Sequence, residues 1–368
     1  MRILFAGSPG IAVPALEALA AICDSGKGFT LAGLLTNPER ARGRGGKIEP
    51  GECAAALRRI SVSIPIIDPE KLDAAAREQA AALMPDLLVS FAYGKIFGPK
   101  FLALFPLGGI NIHPSLLPKY RGPAPIPAAI LNRESETGIT IQRLAAEMDS
   151  GDILAQEALP LDGRETTASL SETAAHRAAA MLPGVLRGIA DGTVQARPQY
   201  HGMATYCSLL AKEDGVIDWN NSAAEIEARI RAFDPWPLCQ TRHGELELFI
   251  LRAEVLGALR GCPPQRGGAC NKVQASDPST SSASDAFIGS TPKYIASETP
   301  SPVRALSSGG GEASPPGQVL GKDRDKGILI QTGDGILAVS ELQYRAKKAL
   351  DWKSFLNGAR NFTGARLG

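Results

Sequence analysis

Asn111 and His113 stand two residues apart in the run Gly108-Gly109-Ile110-Asn111-Ile112-His113-Pro114-Ser115-Leu116-Leu117-Pro118. If that run is a β-strand, the spacing puts both side chains on one face, at the carboxyl end where open α/β sheets bind ligands. A side-chain amide beside an imidazole can hold a carbonyl oxygen as it becomes an oxyanion, and the imidazole can carry a proton near neutral pH. Asp149, in Met148-Asp149-Ser150-Gly151-Asp152-Ile153-Leu154, sits in a glycine-containing turn ahead of another apolar run, from which it could orient and charge-stabilise the imidazole. Each residue also has a plainer reading. A lone histidine at a strand end is more often structural, and an aspartate in such a turn more often serves the turn.

The elements that must position these groups read as short apolar runs alternating with helical patterns, the mark of a parallel or mostly parallel α/β sheet. Strands are expected at 2–6, 31–36, 64–67, 86–91, 109–112, 138–144 and 153–160, and helices at 14–22, 54–60 and 73–83. A long alanine-rich helix over 166–190, opened by a threonine cap and closed at Asp191-Gly192, ends a first domain, 1–192. The polar, proline-interrupted stretch 193–210 reads as a linker, and 211–362 as a second, β-rich domain with a helix at 223–233, a strand near 245–252 and a hairpin-like pair at 327–331 and 336–342. Between them 257–317 is rich in Ser, Pro, Gly and Ala without apolar periodicity, and is expected to be a disordered insertion.

Composition narrows the function classes. The chain has 368 residues, 44% hydrophobic and 21% charged, enough apolar material for buried cores, which excludes wholesale disorder and a collagenous fibre. With 39 basic and 38 acidic residues the net charge is +1, so a polyanion would have to be held by local clusters. One such cluster is Arg40, Arg42, Arg44 and Lys47, interleaved with glycines; a smaller one is Arg345, Lys347 and Lys348. Both can be solvated faces or phosphate contacts. No apolar run approaches the roughly 18 residues of a membrane span, no signal sequence is recognisable, and a cytoplasmic monomer is expected. The six cysteines form no CxxC pair and the four histidines no HExxH, so no metal site is expected. Gly7-Ser8-Pro9-Gly10 after the first strand lacks the third glycine of a dinucleotide fingerprint, which makes a nicotinamide enzyme a weak reading and a tight strand-to-helix turn the better one.

The combination of INIHPSLLP at 110–118, RGPAPI at 121–126 and MDSGDIL at 148–154 resembles the folate-dependent formyltransferases. The resemblance implies Asn111, His113 and Asp149 as catalytic residues: Asn111 and His113 as donors to the oxyanion, His113 also as proton carrier, and Asp149 as the partner of the imidazole. It implies Ser115, Leu116, Leu117 and Pro118, together with Tyr93, as neighbours of the folate, with 10-formyltetrahydrofolate as formyl donor and no metal. FAGSPGIAVPALEAL, LLTNPERARGRGGKIEP, AKEDGVIDW and RAFDPWP resemble segments of the branch that formylates methionyl initiator tRNA rather than glycinamide ribonucleotide or a nucleotide-linked amino sugar. On that basis Arg40, Arg42, Arg44, Lys47, Arg345, Lys347 and Lys348 are implied as tRNA contacts. The implied architecture is a Rossmann-like catalytic domain with a mostly parallel sheet, followed by an OB-like β-barrel domain that binds tRNA. Pro114, Pro127 and Asp234 depart from that branch's usual pattern. The remaining rival is a noncatalytic RNA-binding protein on an enzyme scaffold, which the intact Asn111, His113 and Asp149 speak against.

Overall fold

The computed structural model describes residues 1–26, 28–42, 47–256, 314–359 and 361–368, with the side chains of 40–42, 47 and 48 left aside. Arg44 and the expected insertion, over 257–313, lie outside the described residues. The N-terminal half runs β1 (Arg2–Ala6), α1 (Val13–Asp24), β2 (Thr30–Leu35), β3 (Arg40–Arg42), β4 (Lys47–Glu49), α2 (Glu52–Ile60), β5 (Ile66–Ile67), α3 (Ala74–Ala82) and β6 (Leu87–Phe91). It continues through α4 (Pro99–Leu102), β7 (Gly109–His113), α5 (Pro125–Leu131), β8 (Glu136–Arg143), β9 (Ile153–Pro160) and α6 (Thr167–Ala190).

The strands form one sheet in the order β5-β2-β1-β6-β7-β8-β9, in which β5 to β7 are parallel and β8 and β9 antiparallel. This is the Rossmann-like arrangement expected, and its central strands β1 and β6 are buried along nearly their whole length, as a sheet covered on both faces requires. The chain leaves β1 towards β2 on one side and later enters β6 on the other, so a crevice opens at the carboxyl ends of β1 and β6, beside β7. Gly7 makes that crossing tight: a Cβ there would lie 2.8 Å from Phe5 and 3.0 Å from the Phe91 carbonyl. α6 begins at a capping box between Thr166 and Ser169, and packs on α1 through a stripe that includes Leu170, Ala174, Ala178 and Leu182.

The C-terminal half comprises α7 (Ala223–Ala232), β10 (Cys239–His243), β11 (Leu246–Leu256), β12 (Val319–Asp323), β13 (Gly327–Gln331), β14 (Ile336–Tyr344), β15 (Leu350–Asp351) and α8 (Trp352–Gly358). Its antiparallel sheet has the order β10-β11-β14-β13-β12, with β15 added on β14. The segment 364–368 runs along the β12 edge, with Val319 N–H donating to the Ala365 carbonyl at 2.9 Å, and reaches β10 where Gly368 N–H meets the Arg242 carbonyl at 3.2 Å. The sheet is thereby a partly closed barrel. Gly317 belongs to this closure, donating to the Gln331 carbonyl at 2.8 Å, so the ordered barrel begins before the expected end of the insertion at 317.

The two halves share one apolar cluster, in which Ile126 and Ile130 of α5 and Leu170 of α6 join Ile226 and Ile230 of α7. Polar links reinforce this seam: Thr167 Oγ1 donates to the Ala232 carbonyl at 2.6 Å and Arg231 Nη1 to the Glu165 carbonyl at 2.9 Å. The stretch 193–210, expected as a linker, lies against the N-terminal half. Arg197 pairs with Ile153, and Tyr206 with Arg121, as isolated β-bridges.

Candidate active site

Asn111 and His113 occupy the last residues of β7, and Asp149 sits in the loop between β8 and β9. The backbone brings them together across 38 residues of sequence: Asn111 Nδ2 donates to Asp149 Oδ1 at 3.2 Å, and His113 Nδ1 stands 3.6 Å from Asp149 Oδ2. Asp149 Oδ1 also accepts from Gln142 Nε2, and Oδ2 from the Gly122 backbone N–H, both at 2.9 Å. Asp149 adopts φ 52°, in the left-handed region, and two residues on Gly151 lies where a Cβ would fall 1.9 Å from the Arg143 carbonyl oxygen. That turn is what points the carboxylate back at β7.

His113 is 4% exposed, and its Nε2 lies 2.8 Å from the Tyr120 carbonyl. A carbonyl only accepts, so Nε2 carries a ring proton, and Nδ1 faces the Asp149 carboxylate. Burial holds the His113 pKa below the ordinary imidazole value, against the opposing pull of the Asp149 carboxylate and the Tyr120 carbonyl. The ring therefore has one nitrogen committed to the backbone and the other beside a carboxylate, an arrangement that can pass a proton and stabilise it. Burial pushes the Cys53 and Cys239 thiols up to about 12, which disfavours nucleophilic chemistry at those two. Among the described residues no group of three or more His, Cys, Asp or Glu side chains could hold a metal ion, and no helix is long and apolar enough to cross a membrane.

The segment Ser115 to Pro118 leads directly from His113 and is pinned by its own bonds. Ser115 is fully buried with Oγ donating to the Lys119 carbonyl at 2.6 Å, and the Leu117 N–H and carbonyl bond Thr140 Oγ1 and Gln156 Nε2 at 3.2 and 3.0 Å. Leu116 packs against Gly138 of β8, where a Cβ would lie 2.4 Å from its methyl. Tyr93, just beyond β6, is 2% exposed within a second apolar cluster and stacks on Phe97 at 5.4 Å. Its buried hydroxyl has no hydrogen-bond partner among the described residues.

The basic clusters lie elsewhere. Arg40, Arg42 and Lys47 fall on β3 and β4, a two-stranded antiparallel ribbon in which Arg42 pairs with Lys47, rather than on a loop without regular structure. Arg345 is engaged by Glu247, with Nη1 and Oε2 2.5 Å apart, whereas Lys347 and Lys348 are exposed.

Sequence reasoning missed the residues behind Asp149. Gln142 lies opposite Asn111 on β8; Gln199 and Arg121 are both buried, Arg121 donating to Gln199 Oε1 from Nε at 3.1 Å and from Nη2 at 2.7 Å. The sequence signals were that Arg121 opens the RGPAPI motif and that Gln142 shares the β8 face with Thr140, polar residues inside a run that reads as core; Gln199 carried none.

Comparison with known proteins is consistent along the whole chain. Residues 1–186 match the family model "Formyl transferase" and 209–360 the model "Formyl transferase, C-terminal domain". A methionyl-tRNA formyltransferase of Treponema denticola is 45% identical over 98% of this chain and 98% of its own. Among solved structures, the N-formyltransferase of Helicobacter canadensis in complex with folinic acid and dTDP-3-aminofucose aligns over 94% of this chain and 99% of its own, at TM-score 0.58 and 17% identity. HypX of Aquifex aeolicus in complex with tetrahydrofolic acid aligns over 99% of this chain, which spans about half (48%) of that longer protein, at TM-score 0.55 and 16% identity. These two likenesses concern the fold. Full-length sequence similarity and both matched models establish that the chain belongs to the formyl transferase family.

Proposed function

We propose that this protein transfers the formyl group of 10-formyltetrahydrofolate to the α-amino group of methionyl initiator tRNA, working as a cytoplasmic monomer. The observation that carries the chemistry is the meeting of Asn111, His113 and Asp149 at the carboxyl end of β7. The acceptor is argued from the second half and from the full-length relative, a methionyl-tRNA formyltransferase by name. An α-amine with a reference pKa near roughly 7.7 is appreciably neutral at cytoplasmic pH, so no covalent enzyme intermediate is needed.

The amine nitrogen attacks the formyl carbon, and the carbonyl electron pair moves onto oxygen. Asn111 spends one amide hydrogen on Asp149 and has the other for that oxygen. The proton released by the attacking nitrogen passes to the pair formed by His113 Nδ1 and Asp149. The bond from the formyl carbon to the folate nitrogen then breaks, the nitrogen takes a proton, and tetrahydrofolate and formyl-methionyl-tRNA are released. Ser115 to Pro118 form the folate side of this site, whereas Tyr93, with its ring and hydroxyl buried in the second apolar cluster, does not line it. Phosphates of the tRNA meet the β3–β4 ribbon, with Arg40, Arg42, Arg44 and Lys47, and the exposed Lys347 and Lys348, with Arg345 alongside. The test is a formylation assay offering charged initiator tRNA or glycinamide ribonucleotide with the same donor. Formylated tRNA is the expected product; exclusive use of glycinamide ribonucleotide would move the protein to another branch of the family, and RNA binding without transfer would sink the catalytic reading.

A further inference from the structure

We infer that Gln199 is a positioning residue for the Asp149 carboxylate, fixing the main chain of the catalytic loop from the segment that joins the two halves of the molecule. The inference deepens the formyl-transfer reading and rests on it. Gln199 is 5% exposed, and its Nε2 faces three acceptors: the Asp149 carbonyl at 2.9 Å, the Gly151 carbonyl at 2.7 Å and Gln142 Oε1 at 3.0 Å. Its Oε1 receives the fork of Arg121 Nε and Nη2, at 3.1 and 2.7 Å. Arg121 is 1% exposed, and its other side-chain partners are the Tyr206 hydroxyl and His201 Nδ1, each at 3.3 Å.

This arrangement leaves the amide only one orientation. A guanidinium cannot give up its proton and has no acceptor to offer, so the Gln199 oxygen must face Arg121 and the nitrogen must face the loop. The Gln199 amide therefore holds the carbonyls of residues 149 and 151 together, on either side of Ser150. Asp149 needs such a hold: its positive φ is unusual for a residue with a side chain, and the carbonyl of buried Gly151 would otherwise lose this donor. The same amide nitrogen touches Gln142, whose own Nε2 donates to Asp149 Oδ1. Gln199 thus governs where the carboxylate lies relative to His113 without touching either reacting group or substrate.

The test uses the full chain with charged initiator tRNA and 10-formyltetrahydrofolate. Gln199→Leu is expected to lower kcat about ten- to a hundredfold, the range typical of partners that orient a reactive site's own ligands. Both KM values should stay within about twofold. In an Asp149→Asn background the same change should cost less than about twofold, because a residue acting through Asp149 has nothing left to position. Gln199→Glu keeps an acceptor for Arg121 but cannot donate to the two carbonyls, so it separates support of the fold from support of the loop; a similar fall in kcat is expected. Native kcat in Gln199→Leu, or in Gln199→Glu where the leucine variant does not fold, overturns the inference, as does a loss that multiplies in full with that of Asp149→Asn. Failure of the unaltered chain to formylate overturns the functional reading and this inference with it, whereas transfer that survives the Gln199 changes overturns this inference alone.

Discussion

Charge is handled in opposite ways at the β8–β9 loop and in the turn between β14 and β15 of the C-terminal sheet. Asp149 has both oxygens occupied by Asn111, Gln142 and the Gly122 N–H, and the His113 ring beside it is almost wholly out of water. Lys347 and Lys348 are exposed, and neighbouring Arg345 is shared with Glu247 on β11. The first arrangement sets the geometry of individual atoms in a low-dielectric place where removing any one hydrogen bond is felt. The second leaves its charges in water, where each ion pair is worth little and salt competes with it. Under the proposed function, chemistry and capture would be served by different kinds of electrostatics in one chain.

Substitutions should separate the two regions. Asp149→Asn, which keeps the shape but removes the proton-accepting charge, is expected to cost about 10²–10⁴ in kcat. That deficit should be the same at low and high salt; a deficit that grows with ionic strength in steady-state assays would erase the distinction. Asn111→Ala should cost about 10²–10³ in kcat as an oxyanion donor is lost, with the tRNA KM little altered. A comparable rise in KM with native kcat would move Asn111 from chemistry to binding.

The buried imidazole also leaves a mark on stability. Because burial depresses the His113 pKa, the unfolded chain takes up this proton at a higher pH than the folded one does. Its contribution is intact above the unfolded value near roughly 6.5 and is lost as pH falls below it towards the folded value, at up to about 1.4 kcal/mol per pH unit. Urea denaturation of the native chain and of His113→Gln between neutral and mildly acidic pH should show the smaller slope in the variant. Parallel slopes would mean that this ring is not held neutral. The smallest effect is expected in the β14–β15 turn: Lys347→Ala with Lys348→Ala should raise the tRNA KM by a few fold, leave kcat alone and flatten the salt dependence, by about one unit of log–log slope for each phosphate no longer neutralised. An unchanged slope would remove these lysines from the tRNA path.

The sequence carried the catalytic half well where burial on both sheet faces leaves uninterrupted apolar runs. The readings at 2–6 and 153–160 coincide with β1 and β9, and Thr166 caps α6 as its type and place suggested. It carried the C-terminal sheet less well. β10 reads Cys-Gln-Thr-Arg-His and β12 Val-Leu-Gly-Lys-Asp, half-exposed barrel strands whose pairing rather than composition makes them strands. The two-residue spacing of Asn111 and His113 was legible because a strand imposes it. The support behind Asp149 was not, since Arg121, Gln142 and Gln199 meet only after three separate segments have packed. Tyr93 entered through resemblance alone, and its ring lies deeper in the apolar interior than a residue lining an open site.

The interior shared by α5, α6 and α7 has a consequence for how the molecule comes apart. With Ile126, Ile130, Leu170, Ile226 and Ile230 in one apolar mass, separating the halves would expose on each the surface that now excludes water from the other. Melting should therefore be concerted rather than stepwise, and a fragment cut after α6 would carry the catalytic groups on a scaffold stripped of part of its stabilising mass. The C-terminal half is in this sense a folding partner of the N-terminal half.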